Sequence, residues 1–452
     1  MKRSYFGTDG IRGVANTSPL DPETLVRLGK AIAKVFLAKR GKHRILIGKD
    51  TRLSGYMIET ALASGITSMG ADVLLVGPIP TPGVAYLTKS MRADAGVMVS
   101  ASHNPFEDNG IKIFGADGLK LADELESELE ELLSSPTLDT LRAEPSAIGK
   151  ATRISDAVGR YAVFLKGFFP RELTLEGLKL GLDCANGASY VVAPLVFQEL
   201  GAEVISRGMS PNGRNINAGF GSLYPEVVAK LVLEQNLHCG ITLDGDADRC
   251  LVVDEKGEVL DGDALLAILA IDMQKEGKLK NNIVVGTIMS NYGLEKYLNE
   301  NGITLIRSQV GDRYVLEDLM KHDAVLGGEQ SGHMIFKDMS TTGDGILTAL
   351  NLLTVLVKSG KDLSELKKSY IPFPQKLINI PVAQKIPLDS VPRVKKIIAD
   401  KTEQLGNSGR ILVRYSGTES KIRVMVECSN EEQCKKHAAE VAQVIEEELG
   451  RI

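Results

Sequence analysis

The fold is indicated by the segment Ile45-Leu46-Ile47-Gly48, which precedes a helical stretch and then Gly70-Ala71-Asp72-Val73. The same pattern recurs twice further along the chain, at 180–183 with 201–204 and at 283–286 with 302–305. Short apolar strands that are separated by helices pair in parallel, so each copy indicates an α/β unit. We therefore predict three related α/β domains, because a repeated pattern of this size reflects a repeated structural unit.

A different pattern follows at the C-terminal end of the chain. It consists of a strand, a helix over 391–405, strands over 410–415 and 421–428, and a helix over 430–449, which predicts a small α+β domain. Polar or Pro-rich joins fall at 134–154, 254–257 and 370–374. The predicted domains are therefore 1–153, 154–256, 257–370 and 371–452. We expect the acidic helix over 121–133 to present a solvated face.

Composition excludes several classes of protein. The 452 residues are 43% hydrophobic and 25% charged, and the net charge is −5 with no Lys/Arg block, which argues against a general nucleic-acid binder. The N-terminus lacks a signal-peptide core, and the longest apolar run, 264–271, is far below the roughly 20 residues of a membrane span. We therefore predict a cytoplasmic protein. Its five cysteines include no Cys-x-x-Cys pair, so we predict reduced, structural thiols.

The first candidate site is the segment Val99-Ser100-Ala101-Ser102-His103-Asn104-Pro105. The apolar run 95–99 ends abruptly in small and polar residues, which is how a buried strand delivers a reactive loop to the edge of a sheet. Ser102 is therefore a candidate nucleophile. Taken alone, the segment is equally compatible with a turn closed by Asn104-Pro105.

A second candidate site is Asp244-Gly245-Asp246-Ala247-Asp248-Arg249, which directly follows an apolar strand. Carboxylate oxygens are the ligands of hard divalent cations such as Mg²⁺. The run is not a calcium loop of the EF-hand type, because Gly lies at its second position rather than its sixth and the run follows a strand rather than a helix. The pattern favours a metal site for phosphate chemistry over a solvated acidic turn, and Arg249 could balance phosphate charge.

Three Gly-containing segments are further candidates. Glu329 and Ser331, within Gly327–His333, can accept from and donate to vicinal hydroxyls. Arg414-Tyr415-Ser416-Gly417-Thr418-Glu419-Ser420, with Arg423 close behind, has the donors of a phosphate cradle, although a charged hairpin would also explain it. The segment Phe6–Gly13 carries Arg12 and is neither a Walker A loop nor a dinucleotide fingerprint.

In this order, these five segments resemble the motifs of the α-D-phosphohexomutase superfamily, and the resemblance spans the whole chain. The form of 5–13, and of 327–333 followed by Thr341-Thr342-Gly343-Asp344-Gly345, resembles the branch that acts on glucosamine phosphates. One departure is visible, since Tyr415 and Ser420 stand where family members often have Pro. The resemblance implies an α/β fold of three related α/β domains plus a small C-terminal α+β domain around a central cleft.

The resemblance also implies the roles of individual residues. Ser102 would be the phosphoserine and, with Asp244, Asp246 and Asp248, would hold one Mg²⁺ per chain. The residues implied to assist proton movement and charge neutralisation are His103, Lys112, Arg12 and Arg249. Those implied to bind the sugar are Glu329, Ser331 and His333. Those implied to bind the non-transferred phosphate are Arg414, Ser416, Gly417, Thr418 and Arg423.

The activity that the resemblance implies is conversion of glucosamine 6-phosphate to glucosamine 1-phosphate, with glucosamine 1,6-bisphosphate as intermediate and activator. Three alternatives remain open: a mutase for glucose or mannose phosphates, a phosphatase with an Asp nucleophile in 244–248, and a non-enzymatic sugar-phosphate binder. The expected partner is a small sugar phosphate rather than nucleic acid or membrane. The sequence leaves open whether chains pair as a homodimer.

Overall fold

The computed structural model describes residues 5–7, 10–37, 43–416 and 420–450. The chain divides into two compact units. The larger comprises Met1–Met289 and Ile303–Lys368, and the smaller comprises Ser290–Gly302 and Ser369–Ile452. Within the described ranges, no helix is long and apolar enough to cross a membrane.

A seven-stranded sheet carries the loop that contains Ser102. Its strands are β1 (Phe6–Gly7), β2 (Gly10–Val14), β3 (Arg44–Lys49), β4 (Asp72–Pro78), β5 (Ala95–Val99), β6 (Asp108–Gly115) and β7 (Ala151–Arg153), in the order β1-β2-β6-β5-β3-β4-β7. The accompanying helices are α1 (Pro22–Phe36), α2 (Ser54–Ser68), α3 (Thr81–Ser90) and α4 (Asp123–Ser134). Strand β5 is wholly buried, as expected of a central, apolar strand. It pairs in parallel with β3 and antiparallel with β6, so the chain turns back directly after the Ser102 loop.

A five-stranded sheet carries the Asp-rich loop. Its strands are β8 (Lys179–Asp183), β9 (Glu203–Arg207), β10 (Cys239–Leu243), β11 (Cys250–Val253) and β12 (Val259–Leu260), in the order β12-β11-β10-β8-β9. The helices α5 (Ala157–Lys166), α6 (Val192–Glu199) and α7 (Pro225–Gln235) accompany it. Strands β10 and β11 form an antiparallel hairpin whose connection is 244–249, so the three aspartates lie at one edge of this sheet.

A four-stranded sheet completes the larger unit. Its strands are β13 (Ile283–Thr287), β14 (Thr304–Ser308), β15 (Leu326–Gly328) and β16 (Met334–Phe336), in the order β14-β13-β15-β16. The helices of this region are α8 (Gly262–Lys275), α10 (Asp312–Lys321), α11 (Gly345–Ser359) and α12 (Leu363–Lys367), whereas α9 (Tyr292–Glu300) belongs to the smaller unit. The antiparallel pair β15–β16 holds the segment 329–333 between its strands.

The smaller unit contains a three-stranded antiparallel sheet. Its strands are β17 (Gln375–Pro381), β18 (Gly409–Tyr415) and β19 (Lys421–Cys428), in the order β17-β19-β18. Two further helices, α13 (Pro392–Leu405) and α14 (Glu431–Leu449), cover the apolar face of the sheet. Val424 and Val426 of β19 pack with Val441 and Ile445 of α14 in its core.

The predicted α/β architecture is confirmed. Each copy of the repeated pattern forms a parallel pair, namely β3 with β4, β8 with β9, and β13 with β14. The five cysteines are free and buried. The structure adds two local details. Strand β7, at the end of the stretch 134–154, extends the first sheet beside β4, and α4 buries Leu129 and Leu133 while its acidic residues Asp123 and Glu124 are exposed. The four domain boundaries remain a prediction.

Candidate active site

The hydroxyl of Ser102 lies in a buried position between two loops. Ser102 follows β5, is only 1% exposed and has φ +51°, a left-handed conformation that is uncommon for residues other than glycine. Its Oγ donates a hydrogen bond to Oδ2 of Asp244 at 2.6 Å and lies 3.3 Å from Nδ1 of His103. Two segments that the sequence analysis selected separately therefore meet at this hydroxyl.

Asp244, Asp246 and Asp248 form a compact acidic cluster. Each offers a carboxylate oxygen within 4.8 Å of the other two, and all three side chains are buried. Such a cluster is a suitable set of ligands for a hard divalent cation. Oδ1 of Asp246 is buried without a hydrogen-bond partner in the described part of the chain, which is the state expected of an oxygen reserved for a metal ion.

Electrostatics indicate that the cluster needs a counter-charge. Burial, together with Asp248 and Asp246, raises the pKa of Asp244 to about 8. Burial also opposes ionisation of Asp248, but Lys112 and His333 hold its pKa well below the usual range. Burial and the two neighbouring carboxylates thus disfavour the charged form of Asp244, and a bound divalent cation would favour it, so the residues present fit such a metal.

Lys112 brings a positive charge to the aspartate cluster from the first sheet. It lies on β6 and is 2% exposed, and its Nζ donates to Oδ2 of Asp246 at 2.9 Å and to Oδ2 of Asp248 at 3.1 Å. The hydroxyl of Thr81, at the start of α3, donates to the same Oδ2 of Asp246 at 2.5 Å. Lys112 was predicted, whereas Thr81 was missed because nothing in its local sequence distinguishes it from an ordinary helix start.

A cavity of about 590 Å³ lies beside the cluster within the larger unit. The residues that line it are Tyr5, Phe6, Gly7, Gly10, Arg12, His103, Asp248, Arg249, Val310, Gly311, Asp312, Glu329 and His333. It therefore collects Arg12, His103 and Arg249 from three separate segments. Burial, followed by the charges of Arg249 and Arg12, lowers the pKa of His103 to about 4, so its imidazole is neutral near pH 7.

The segment 329–333 contributes to this cavity unevenly. Glu329 and His333 line it, whereas Ser331 does not, and the Ser331 Oγ is buried without a hydrogen-bond partner in the described part of the chain. Burial raises the pKa of Glu329. Burial opposes the charged form of His333, but the neighbouring carboxylates of Asp248 and Asp312 outweigh this effect and raise its pKa from 6.5 to about 9. Glu329 and His333 are thus placed to contact a ligand in the cavity, whereas Ser331 is not among the residues that line it.

Asp312 is a cavity residue that the sequence analysis missed. It begins α10, and its Oδ2 lies 2.7 Å from Nζ of Lys120 and 3.6 Å from Nε2 of His333. Gly311, which precedes it, has φ +131°, a conformation that favours glycine. The sequence does contain a signal for this position, because a glycine and an acidic residue follow strand β14 just as the other candidate loops follow strands.

In the smaller unit, the predicted cradle lies at the end of the β18–β19 hairpin. Arg414 and Arg423 are directly opposite each other in the register, and burial together with Arg423 lowers the pKa of Arg414. Adjacent like charges of this kind are stabilised by an anion. The backbone carbonyl of Ser416 accepts from Nζ of Lys385 at 2.6 Å, and the sequence analysis missed this lysine. Gly417 and Thr418, two of the predicted ligands, lie outside the described residues.

Comparison with protein families identifies four matching models that together cover most of the chain. They are phosphoglucomutase/phosphomannomutase alpha/beta/alpha domain I at residues 3–139, domain II at 160–257, domain III at 261–373 and the C-terminal domain at 377–444. The matches occur in the order of the domains along the family.

Individual relatives agree with these matches. The chain is 54% identical over 451 residues to a phosphoglucosamine mutase of Syntrophotalea carbinolica, covering 100% of this chain and 99% of the relative. It is 54% identical over 450 residues to a phosphoglucosamine mutase of Myxococcus xanthus, covering 99% and 98%.

Solved structures share the fold at lower sequence identity. A phosphoglucomutase/phosphomannomutase family protein of Burkholderia thailandensis is 23% identical with a TM-score of 0.81, and the match covers 97% of each chain. The N-acetylphosphoglucosamine mutase of Aspergillus fumigatus is 18% identical with a TM-score of 0.68, covering 99% of this chain and 96% of that one.

Proposed function

The chain belongs to the phosphoglucomutase/phosphomannomutase family, and we propose that it acts as a phosphoglucosamine mutase, which interconverts glucosamine 6-phosphate and glucosamine 1-phosphate. Full-length relatives of that name at 54% identity support the choice of sugar. The single observation that supports the chemistry is the 2.6 Å contact between the Ser102 hydroxyl and Asp244 in a buried triad of carboxylates.

The proposed reaction stores a phosphoryl group on Ser102. The phosphoserine gives this group to the sugar phosphate, so that a P–O bond to the sugar oxygen forms as the bond to Ser102 Oγ breaks. The product, glucosamine 1,6-bisphosphate, turns end for end and returns its other phosphoryl group to Ser102. Because phosphoryl transfer needs mainly alignment and charge stabilisation, the protein must hold Ser102 rigidly and supply cations around it.

Mg²⁺ is the proposed metal, one per chain, and Ser102, Asp244, Asp246 and Asp248 would hold it. When bound, it would neutralise charge on the transferring phosphoryl group. The support is chemical, because four buried oxygen ligands that include three carboxylates match the preference of this ion for hard oxygen donors.

His103 and the three cationic residues of the site have proposed roles according to their surroundings. The neutral imidazole of His103, 3.3 Å from Ser102 Oγ, can accept a proton. Lys112, which contacts Asp246 and Asp248, would balance their charge or exchange a proton with the sugar hydroxyl. Arg12 and Arg249 both line the cavity and would bind the phosphate that approaches Ser102.

The remaining site residues are proposed to bind the rest of the substrate. Glu329 and His333 would contact sugar hydroxyls from the cavity wall. Ser331 has the same proposed role, which would require its buried hydroxyl to turn towards the ligand. For the non-transferred phosphate, the proposed ligands are Arg414, Ser416, Gly417, Thr418 and Arg423.

We also propose the domain boundaries, the cellular location and the partners of the protein. We propose domains at 1–153, 154–256, 257–370 and 371–452, a cytoplasmic location, and a small sugar phosphate as partner, with no nucleic acid or membrane. A homodimer is the oligomeric state to test, by sedimentation of the purified chain.

The choice of sugar has one competitor. The matching family models are described as phosphoglucomutase/phosphomannomutase, which favours glucose or mannose phosphates as alternative substrates. The test compares kcat/KM for the 6-phosphates of glucosamine, glucose and mannose with the same purified enzyme, activated by the corresponding 1,6-bisphosphate. We expect glucosamine 6-phosphate to be preferred at least about tenfold, since a site that hydrogen-bonds a group of its substrate rejects analogues that lack that group. Preference for either other sugar would reassign the substrate.

A further inference from the structure

Arg52 is a fully buried arginine that is not among the described residues lining the cavity and that holds the loop of Ser102 by hydrogen bonds. It lies in the turn between β3 and α2. Its Nη2 donates to the carbonyl oxygens of Ser102 at 2.9 Å and Asn104 at 2.8 Å, and its Nη1 donates to those of Asp108 at 3.1 Å and Pro105. One planar guanidinium therefore binds four carbonyl groups of a single loop, a pattern that a point charge such as lysine cannot reproduce.

The guanidinium is itself held in place by Asp50. The Asp50 carboxylate accepts from the Arg52 Nε at 2.8 Å and from its backbone N–H at 2.9 Å, and it also accepts from the Ser100 hydroxyl at 2.6 Å. The Ser100 Oγ in turn accepts the backbone N–H of Ser102 at 2.9 Å. Both the amide and the carbonyl of Ser102 are thus tied to one buried ion pair.

This clamp acts on a residue whose backbone needs support. Ser102 has φ +51°, which L residues other than glycine adopt only when their surroundings hold them there. In that conformation the Ser102 Oγ lies 2.6 Å from Asp244. Asn217, in the connection between β9 and α7, also donates to the carbonyls of Ser102 and Asn104, at 2.9 and 3.0 Å. The donors on the carbonyl side therefore maintain the direction of the reactive hydroxyl.

We propose that Arg52 is a positioning residue for phosphoryl transfer, which fixes the backbone of the Ser102 loop so that the phosphoserine stays aligned. The proposal rests on the proposed function. Arg52 acts through Ser102 and would touch neither sugar nor metal, so its loss should slow the transfer step while leaving substrate and metal binding almost unchanged.

The chain offers a matched control in Arg27. This arginine, on α1, also binds backbone carbonyls, those of Leu133 at 2.8 Å and Ser135 at 3.2 Å, and it pairs with Asp139. It supports a loop that contributes nothing to the cavity beside the cluster. An arginine-to-lysine change there removes a similar set of contacts but should not affect catalysis.

The test compares Arg52→Lys with Arg27→Lys and wild type. Each protein is phosphorylated with glucosamine 1,6-bisphosphate, and transfer from the phosphoserine to glucosamine 6-phosphate is followed by rapid quench. For Arg52→Lys we expect transfer and kcat to fall about 100-fold, with KM and the Kd for MgCl₂ within about threefold of wild type. For Arg27→Lys we expect wild-type kcat. Wild-type transfer rates in folded Arg52→Lys, or losses that only follow its folded fraction, would overturn the proposal.

A second variant tests the same proposal if Arg52→Lys does not fold. Asn217→Ala removes a neutral donor from the same two carbonyls, and we expect transfer to slow about tenfold with unchanged KM; an unchanged rate would overturn the proposal. Failure of the proposed function can be distinguished from failure of the Arg52 proposal. Wild-type enzyme without turnover of glucosamine 6-phosphate would refute that function, and the Arg52 comparison would then be made with the hexose phosphate that wild type does convert.

Discussion

The Ser102 hydroxyl donates to the Asp244 carboxylate at 2.6 Å, although the two residues are 142 positions apart in the chain. The contact joins the connection after β5 of the first sheet to the connection after β10 of the second. Both are edges where a buried strand ends, so the fold brings a reactive hydroxyl to a potential metal site without exposing either to bulk solvent. The first prediction tests the hydroxyl itself.

Replacing Ser102 by alanine should abolish mutase turnover and leave the protein folded, because the change removes the phosphoryl acceptor and only its side-chain contacts with Asp244 and His103. The measurements are the rate with glucosamine 6-phosphate, the thermal midpoint, and the intact mass before and after phosphatase treatment. Only wild type should carry a phosphoryl group. Retained mutase activity in Ser102→Ala would contradict the assignment, and phosphate release unaffected by the change would favour an aspartate nucleophile.

Replacing Asp246 by asparagine should weaken Mg²⁺ binding by about tenfold or more and lower kcat by orders of magnitude, because a metal-binding charge is lost. Calorimetric titration with MgCl₂ and activity assays over a range of Mg²⁺ would measure both effects. Asp21→Asn is the matched control, since Asp21 caps α1 and asparagine caps equally well. Activity that survived both Asp246→Asn and exhaustive chelation would exclude the metal site.

The parts of this site that the sequence predicted are those in which chemistry and position coincide within a few residues. Ser102 and the three aspartates each follow an apolar strand, so their exposure at the end of a sheet strand can be inferred from the local pattern. The α/β fold was predictable for the same reason. Its repeated strand and helix segments carry their own periodicity, which does not depend on distant contacts.

The parts that could not be predicted arise from contacts between distant segments. Arg52 is 50 positions from Ser102, Asn217 is 115 positions from it, and Thr81 is 165 positions from Asp246. None of them lies in a pattern specific to its role, and only the folded chain brings it to its partner. For Ser331 the sequence leaves the orientation of the side chain open, and in the structure its hydroxyl is buried and Ser331 is not among the described residues that line the cavity.

Replacing Arg414 by alanine should raise the KM for glucosamine 6-phosphate about 10- to 100-fold, the loss expected for a charge-assisted contact to phosphate. Phosphorylation of Ser102 by a bisphosphate donor at saturating concentration should be affected less. Steady-state kinetics and the rate of phosphoserine formation measure the two effects. Arg393→Ala is the control, because Arg393 belongs to the same unit and pairs only with Glu447 and Glu448 among the described residues. Equal losses in both assays would argue against a phosphate cradle.

The last prediction concerns Asp344, a buried carboxyl that caps α11. Its Oδ1 accepts the backbone N–H of Leu347 at 2.9 Å, and its Oδ2 accepts the Tyr161 hydroxyl at 2.6 Å. Burial raises the pKa of Asp344 from 3.8 to about 6. Between these values the folded chain retains a proton that the unfolded chain has released, so this group's contribution to stability falls as pH rises from about 4 to 6.

Asp344→Asn should remove that pH-dependent penalty, because asparagine keeps the cap and its amide can donate to the Tyr161 oxygen. The stability of the variant relative to wild type should therefore rise between about pH 4 and 6 and then level off, by at most about 3 kcal/mol. Thermal midpoints measured across this range and down to about pH 2 test it, with Asp21→Asn as a control whose pH dependence lies below about pH 4 and has the opposite sign. Burial opposes the shift at Asp21, but hydrogen bonds from Thr24 hold its pKa below the usual value, so its contribution is present above about pH 4 and lost as pH falls. An offset for Asp344→Asn that did not change with pH would mean that Asp344 ionises normally in the folded chain.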